Sequence, residues 1–133
     1  MKRLLFVVLI TVCSVSWAGW ERIGTSDEGG LTVYVDTSTI RKNGAISRMW
    51  ELIDVSSVQT NSLGERYMSG KSLQAYNCRD ETNALISLVK YSGSMGQGNA
   101  VWSGMRQERE WEWEPVVPGS IAETAWKIAC GKK

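Results

Sequence analysis

Cys78, in QAYNC, and Cys130, in AWKIACGKK, carry the most definite chemistry in this sequence. A third cysteine, Cys13, lies in an apolar stretch near the amino end. In an oxidising compartment an even pair of thiols reads as a disulfide; two unrelated free thiols are the competing reading. Other chemistry is restricted by what the chain lacks. It contains no histidine, which removes the usual general base and the commonest metal ligand. A Cys/His zinc site and a Ser-His-Asp triad are excluded. Carboxylate-only and Ser-Lys chemistry stay open, but no compact motif announces either. The glycines of GSMGQG (Gly93, Gly96, Gly98) run G-x-x-G-x-G, not in the dinucleotide order G-x-G-x-x-G, and precede Val101-Trp102 rather than a patterned helix. They read as a loop between strands. The expectation is a non-enzymatic protein with no cofactor and no metal.

Binding chemistry has one clear candidate. EWEWEP places Trp111 and Trp113 on one face of an extended segment and Glu110, Glu112 and Glu114 on the other. Such a pair can serve as a platform for sugar rings or as a hot spot for a protein partner. The alternative, which sequence patterns alone favour, is that one or both rings cover the sheet as core. Tyr34, Trp50 and Tyr76 read as core. Arg41, Lys42 and Arg48 make a basic patch or a solvated surface, and Asp36 is explained by a turn.

The ends of the chain bound its location. Met1-Lys2-Arg3 is a positive start, Leu4 to Val12 is an apolar run broken only by Thr11, and Ser16-Trp17-Ala18 is a small-x-small signal before Gly19. This reads as a secretory signal peptide over residues 1–18. The run is shorter than the roughly 20 apolar residues of a membrane span, and no other stretch comes close. Lipidation of Cys13 requires a small residue before it, and Val12 stands there, so Cys13 is expected to leave with the leader. One domain, 19–133, remains. The full chain has 15 basic and 14 acidic residues, a net of +1; losing Lys2 and Arg3 leaves 13 against 14, a net of −1. A near-neutral domain has no general pull on nucleic acid or anionic membranes. The expected location is the periplasm or cell surface of a Gram-negative bacterium.

The elements that must position these residues follow from period and punctuation. Trp20–Ile23 and Leu31–Val35 read as strands at hairpin distance across Asp27-Glu28-Gly29-Gly30. Asp36–Thr39 reads as a turn held by its own side chains. Asn43-Gly44 is a hairpin signal, and a long strand follows from Ala45 to Val55. Within it Ile46, Arg48, Trp50 and Leu52 share one face; Ser47, Met49, Glu51 and Ile53 share the other. Ser56–Gly64 reads as loop, Arg66–Cys78 and Ala84–Tyr91 as strands, and 103–112 as a charged, mobile connection. Pro118-Gly119 ends the extended chain. Ser120 then caps a helix, Glu123 completes a capping box, and Gly131 ends it. Its apolar arc runs through Ile121, Ala125, Trp126, Ile128 and Ala129, with Cys130 at the edge. The fold class is α+β: a small antiparallel sheet of five to six strands with one C-terminal helix packed on it. Cys78 is the only partner for Cys130, so helix and sheet are stapled. A loop of roughly 50 residues is closed, worth about 4 kcal/mol in the chain-entropy model.

The blocks VYVDTSTIRKNGAISRMWELID, SGKSLQAYNC, YSGSMGQG and WEPVVPGSI…AWKIAC occur in this order. Together they resemble the surface-adhesin protein E-like family of Gram-negative envelope proteins over nearly the whole of 19–133. The resemblance implies a small antiparallel sheet with a C-terminal helix tied by one disulfide. It implies a protein-binding module, since the family's named adhesin binds host matrix and serum proteins such as vitronectin, laminin and plasminogen. It also implies a binding site where the fourth strand begins. Arg66 matches one member of a basic pair there, while Glu65 reverses the charge of the other. The candidate binding residues are thus Trp111, Trp113 and Arg66, and the partner is a host matrix protein or a bacterial envelope component. The alternative is a soluble periplasmic structural or stress-related module with no host-binding role. Exposed edge strands suit a homodimer.

Overall fold

The computed structural model describes residues 19–26 and 28–133. The leader expected over 1–18 lies outside them. Six strands run in chain order across one antiparallel sheet: β1 (Trp20–Thr25), β2 (Leu31–Asn43), β3 (Ile46–Thr60), β4 (Arg66–Asn77), β5 (Thr82–Tyr91) and β6 (Ala100–Met105). A seventh, β7 (Glu114–Pro115), pairs with the start of β5 at Asn83 and Thr82. The strand total therefore exceeds the expected five to six by a two-residue piece, which owes its order to pairing rather than to any pattern of its own.

Three segments depart from expectation. Asp36–Thr39 does form the anticipated local bonds: Asp36 Oδ1 accepts from the Ser38 amide at 3.0 Å and hydroxyl at 2.6 Å. Yet the chain does not turn there. It stays in β2 through an irregularity in the pairing with β3 between Asp36 and Arg41. Ser56–Thr60 extends β3 rather than forming loop, because Gln59 and Thr60 pair with Tyr67 and Arg66. The expected mobile segment 103–112 is ordered in part: β6 runs to Met105, and Glu108–Glu110 forms one 3-10 turn capped by reciprocal bonds between Gln107 and Glu110.

The helix α1 (Ile121–Cys130) ends as its sequence predicts. Ser120 Oγ accepts from the Glu123 amide at 3.2 Å, and Gly131 takes the left-handed conformation (φ 66°, ψ 33°) that favours glycine. The capping box is only half made, since Glu123 reaches Lys127 (3.4 Å) and the Gly119 amide (3.5 Å) rather than the Ser120 amide. Ala125, Trp126, Ala129 and Cys130 pack on Val35, Met49 and Tyr76 to form the core. Two hydrogen bonds fix the helix on the sheet: Ser47 Oγ to the Ala129 carbonyl at 2.8 Å and Trp126 Nε1 to the Asn77 carbonyl at 2.9 Å. Cys78 and Cys130 form the disulfide, with Cα atoms 5.5 Å apart and a separation of 52 in sequence. Gly24 marks the closest approach to β1: a Cβ there would lie 2.9 Å from Ile121 Cγ1.

The opposite face of the sheet has its own cover. Leu52 and Ala75 are fully buried there, with Leu52 beneath the glycine loop. The Met95 amide donates to Asp54 Oδ1 (2.8 Å), and Ser69 Oγ links the Gly96 amide (2.8 Å) to the Gly93 carbonyl (2.6 Å). GSMGQG is thus a clasp lying across β3 and β4. Tyr76 is core as expected, while Tyr34 and Trp50 are only half-buried on this second face.

Candidate protein-binding surfaces

The two tryptophans of EWEWEP lie at the end of the segment that leads from β6 to β7. Trp111 and Trp113 meet edge to face, with centroids 6.0 Å apart and planes at 74°. Trp111 is half-buried and rests on the Arg48 guanidinium, which lies 5.1 Å from its centroid. Its indole N–H donates to the Arg106 carbonyl at 3.3 Å. Arg48 is paired across the sheet with Ala75, on the face away from α1. Trp111 is therefore both cover and platform: it shields one corner of the sheet and supports Trp113, which is 38% exposed. The glutamates around them are all exposed, with Glu112 paired to Arg106 at 3.7 Å. Arg48 reads in the sequence as part of a basic patch or a solvated surface; its contact with Trp111 is not readable there, because it depends on the return of the chain to the β5 edge through β7.

Arg66 lies elsewhere. It begins β4, is exposed, and pairs with Thr60. Ala75, beside Arg48, is nine positions further along the same strand, about 30 Å at strand rise. The fold does not bring Arg66 together with the tryptophans. Glu65 is tied into the turn before it: its carboxylate accepts from Asn61 Nδ2 at 3.1 Å, and its amide donates to Asn61 Oδ1 at 2.9 Å.

Two further aromatic sites were not visible in the sequence. On the face away from α1, Trp20, Trp50, Val89 and Tyr91 line a shallow trough with Asp36 and Lys71 at its margins. Trp20 and Trp50 flank Asp36 across neighbouring strands. On the α1 side, Lys90 stands against Tyr67 and Trp102. Period-two reading puts each residue on a face, but which rings converge depends on register between strands.

Beneath the helix edge, Tyr76 donates its hydroxyl hydrogen to Glu51 Oε1. Burial pushes the Glu51 carboxyl above its ordinary range, and the tyrosine bond offsets this in part. Burial and the neighbouring carboxylate push Tyr76 well up as well. This pair is a structural contact between β3 and β4. Among the described residues no cluster of Cys, Asp and Glu could hold a metal ion, and no helix is long and apolar enough to cross a membrane.

Among the described residues, one sheet, one α-helix over one end of it and a disulfide joining them form the frame around these surfaces. The family model described as surface-adhesin protein E matches residues 20–131. The chain belongs to the surface-adhesin protein E family. No curated protein matches the sequence significantly. The fold is similar to that of Haemophilus influenzae protein E, with a TM-score of 0.62 and 14% identity over 86% of this chain and 85% of that one. A second crystal form of the Haemophilus influenzae protein gives 0.63 at 14% identity, over 86% and 88% of the two chains. Protein E from non-typeable Haemophilus influenzae gives 0.60 at 14% identity, over 86% and 76%. At that identity these structures bear on the fold alone. Family membership makes the chain a surface-adhesin-type protein.

Proposed function

We propose that this adhesin-family chain is an exported, non-enzymatic envelope protein that binds another protein through the Trp111–Trp113 corner. The observation that carries this reading is the exposed Trp113 ring held edge to face on Trp111, which is itself braced by Arg48. Preorganised aromatic anchors with a polar rim are the usual energetic centre of a protein interface. Here Glu110, Glu112 and Glu114 supply the rim. The partner implied by the family is a host matrix or serum protein, with a bacterial envelope component as the other source. Net charge near zero argues for shape and aromatic contact over long-range attraction, so binding is weakly salt-dependent. Export rests on the leader at 1–18, and intact mass of protein exported by its native host should show a chain starting at Gly19 without lipid.

Surface binding of the purified exported protein to vitronectin, laminin and a periplasmic extract tests the site. Trp113→Ala is expected to weaken the interaction by about 2 kcal/mol, roughly thirtyfold. Arg66→Ala, about 30 Å away along β4, leaves it unchanged. Tight vitronectin binding abolished by Arg66→Ala and indifferent to Trp113→Ala would overturn this reading in favour of the β4 entrance.

A further inference from the structure

The face that carries α1 is not covered along its full length. Beyond the helix, Leu31 of β2, Ile53 and Val55 of β3, Tyr67 and Gly70 of β4 and Leu88 of β5 line an open apolar hollow of about 180 Å³. A second hollow of about 230 Å³ adjoins it through the shared Leu88 and continues past Trp102 and Gly104 on β6. Neither alone reaches the ~300 Å³ of ordinary small-molecule sites, so each suits a narrow chain rather than a compact ligand. Gly104 lets the Trp102 ring lie against the sheet, since a Cβ there would stand 2.6 Å from the indole.

The charge on this groove has one sign. Its ionisable lining groups are Lys90 and Arg106, with no carboxylate among them. Arg106 is paired with Glu112. Lys90 makes no salt bridge among the described residues; its ammonium lies 4.5 Å from the Tyr67 centroid and 5.5 Å from that of Trp102. Two ring faces hold the cation in place without neutralising it. Glu51, which shares a row with Ser72 and Leu88, directs its carboxylate to Tyr76. An apolar trough ending on one positioned, unneutralised cation is complementary to a molecule with an alkyl chain and an anionic head. We propose that the groove binds a single-chain carboxylate amphiphile of the fatty-acid type. The head meets Lys90 between the two rings, and the chain lies across Ile53, Val55 and Leu88. The head-binding end at Lys90 is on the opposite face from Trp111, the two regions share only Arg106 at the sheet edge, and the site does not depend on the function assigned to the tryptophan corner.

Dodecanoate, kept below its micelle concentration, is titrated into the purified exported protein by calorimetry, with methyl NMR to locate it. Saturable binding with shifts at Ile53, Val55 and Leu88 is expected. Dodecyltrimethylammonium, with the same chain and the opposite charge, is expected not to bind. Lys90→Met keeps the stem and removes the charge, so dodecanoate weakens about tenfold or more while dodecanol is unaffected. Val55→Glu, which adds a carboxylate at a half-buried position, is expected to abolish dodecanoate binding and supplies the test should Lys90→Met fold poorly. Absence of saturable binding, equal binding of the cationic analogue, or shifts confined to α1 or to the Trp111 corner would each overturn the proposal. So would dodecanoate affinity that is unchanged in both variants.

Discussion

Met49 and Ile53 lie on the same face of β3, four positions apart, and have different fates. Met49 is fully buried under α1. Ile53 is half-buried in the groove beyond it. Both residues are apolar and the one strand that carries them is paired on each side, with β2 and β4, so the difference lies in the cover. A helix of ten residues is about 15 Å long, whereas fifteen residues of β3 span about 50 Å. The helix cannot shield a sheet of that length. One half of the face becomes core, tied down by a disulfide, two hydrogen bonds and a buried indole. The other half keeps its apolar residues without a cover, and with them the capacity to take up something else. Stability and recognition are thus divided along a single strand.

The largest effect on this division should come from the staple. Cys78→Ser is expected to destabilise the domain by about 4 kcal/mol for a loop of this length, with amides of α1 exchanging before those of β3 and β4. Uniform loss of protection across the sheet and helix would mean that the two halves are one cooperative unit. The next test compares the two residues directly. Met49→Ala leaves a cavity in close-packed core and is expected to cost about 3 kcal/mol. Ile53→Ala in the open half is expected to cost about 1 kcal/mol. Urea midpoints of the two variants check this, and equal losses would show that the groove is as tightly packed as the core.

The smallest effect is expected at the border, where Glu51 is bonded to Tyr76. Its folded-state pKa is raised above the unfolded value near 4.5. The stability associated with it is therefore fully present below that value and is lost as pH rises through the folded one. Glu51→Gln keeps an acceptor for the tyrosine hydroxyl but cannot ionise. Its stability between pH 4 and 8 should be flatter than that of the parent, measured by denaturant midpoints at each pH. A parallel decline in both would place the titrating group elsewhere.

The covered half was largely legible in the sequence and the open half was not. Ser120, Gly131 and the arc from Ile121 to Ala129 act within a few residues of one another, so local rules suffice to mark the helix. Cys130 needed a single partner and had one. The alternation in β3 correctly separated Met49 from Leu52. What alternation does not contain is the length of the cover relative to the strand, which is why Lys90, Tyr67 and Trp102 were unremarkable as separate residues. β7 has no sequence signal for a related reason: two residues make a strand only because Asn83 and Thr82 receive them. Asp36–Thr39 shows the converse, with turn chemistry satisfied inside a continuing strand.

The order in which the chain is made assigns the disulfide a late role. Cys130 follows Cys78 by 52 residues and is the later of the two to emerge wherever the chain is delivered from its amino end. By then β3 and β4 have been complete for some time, and the Cys78 amide can already be held by the Ala45 carbonyl, 2.8 Å away in the finished fold. A bond that waits for the last helix cannot guide the pairing of β1 to β4. It acts as a closing latch, fastening a sheet whose register must already be right.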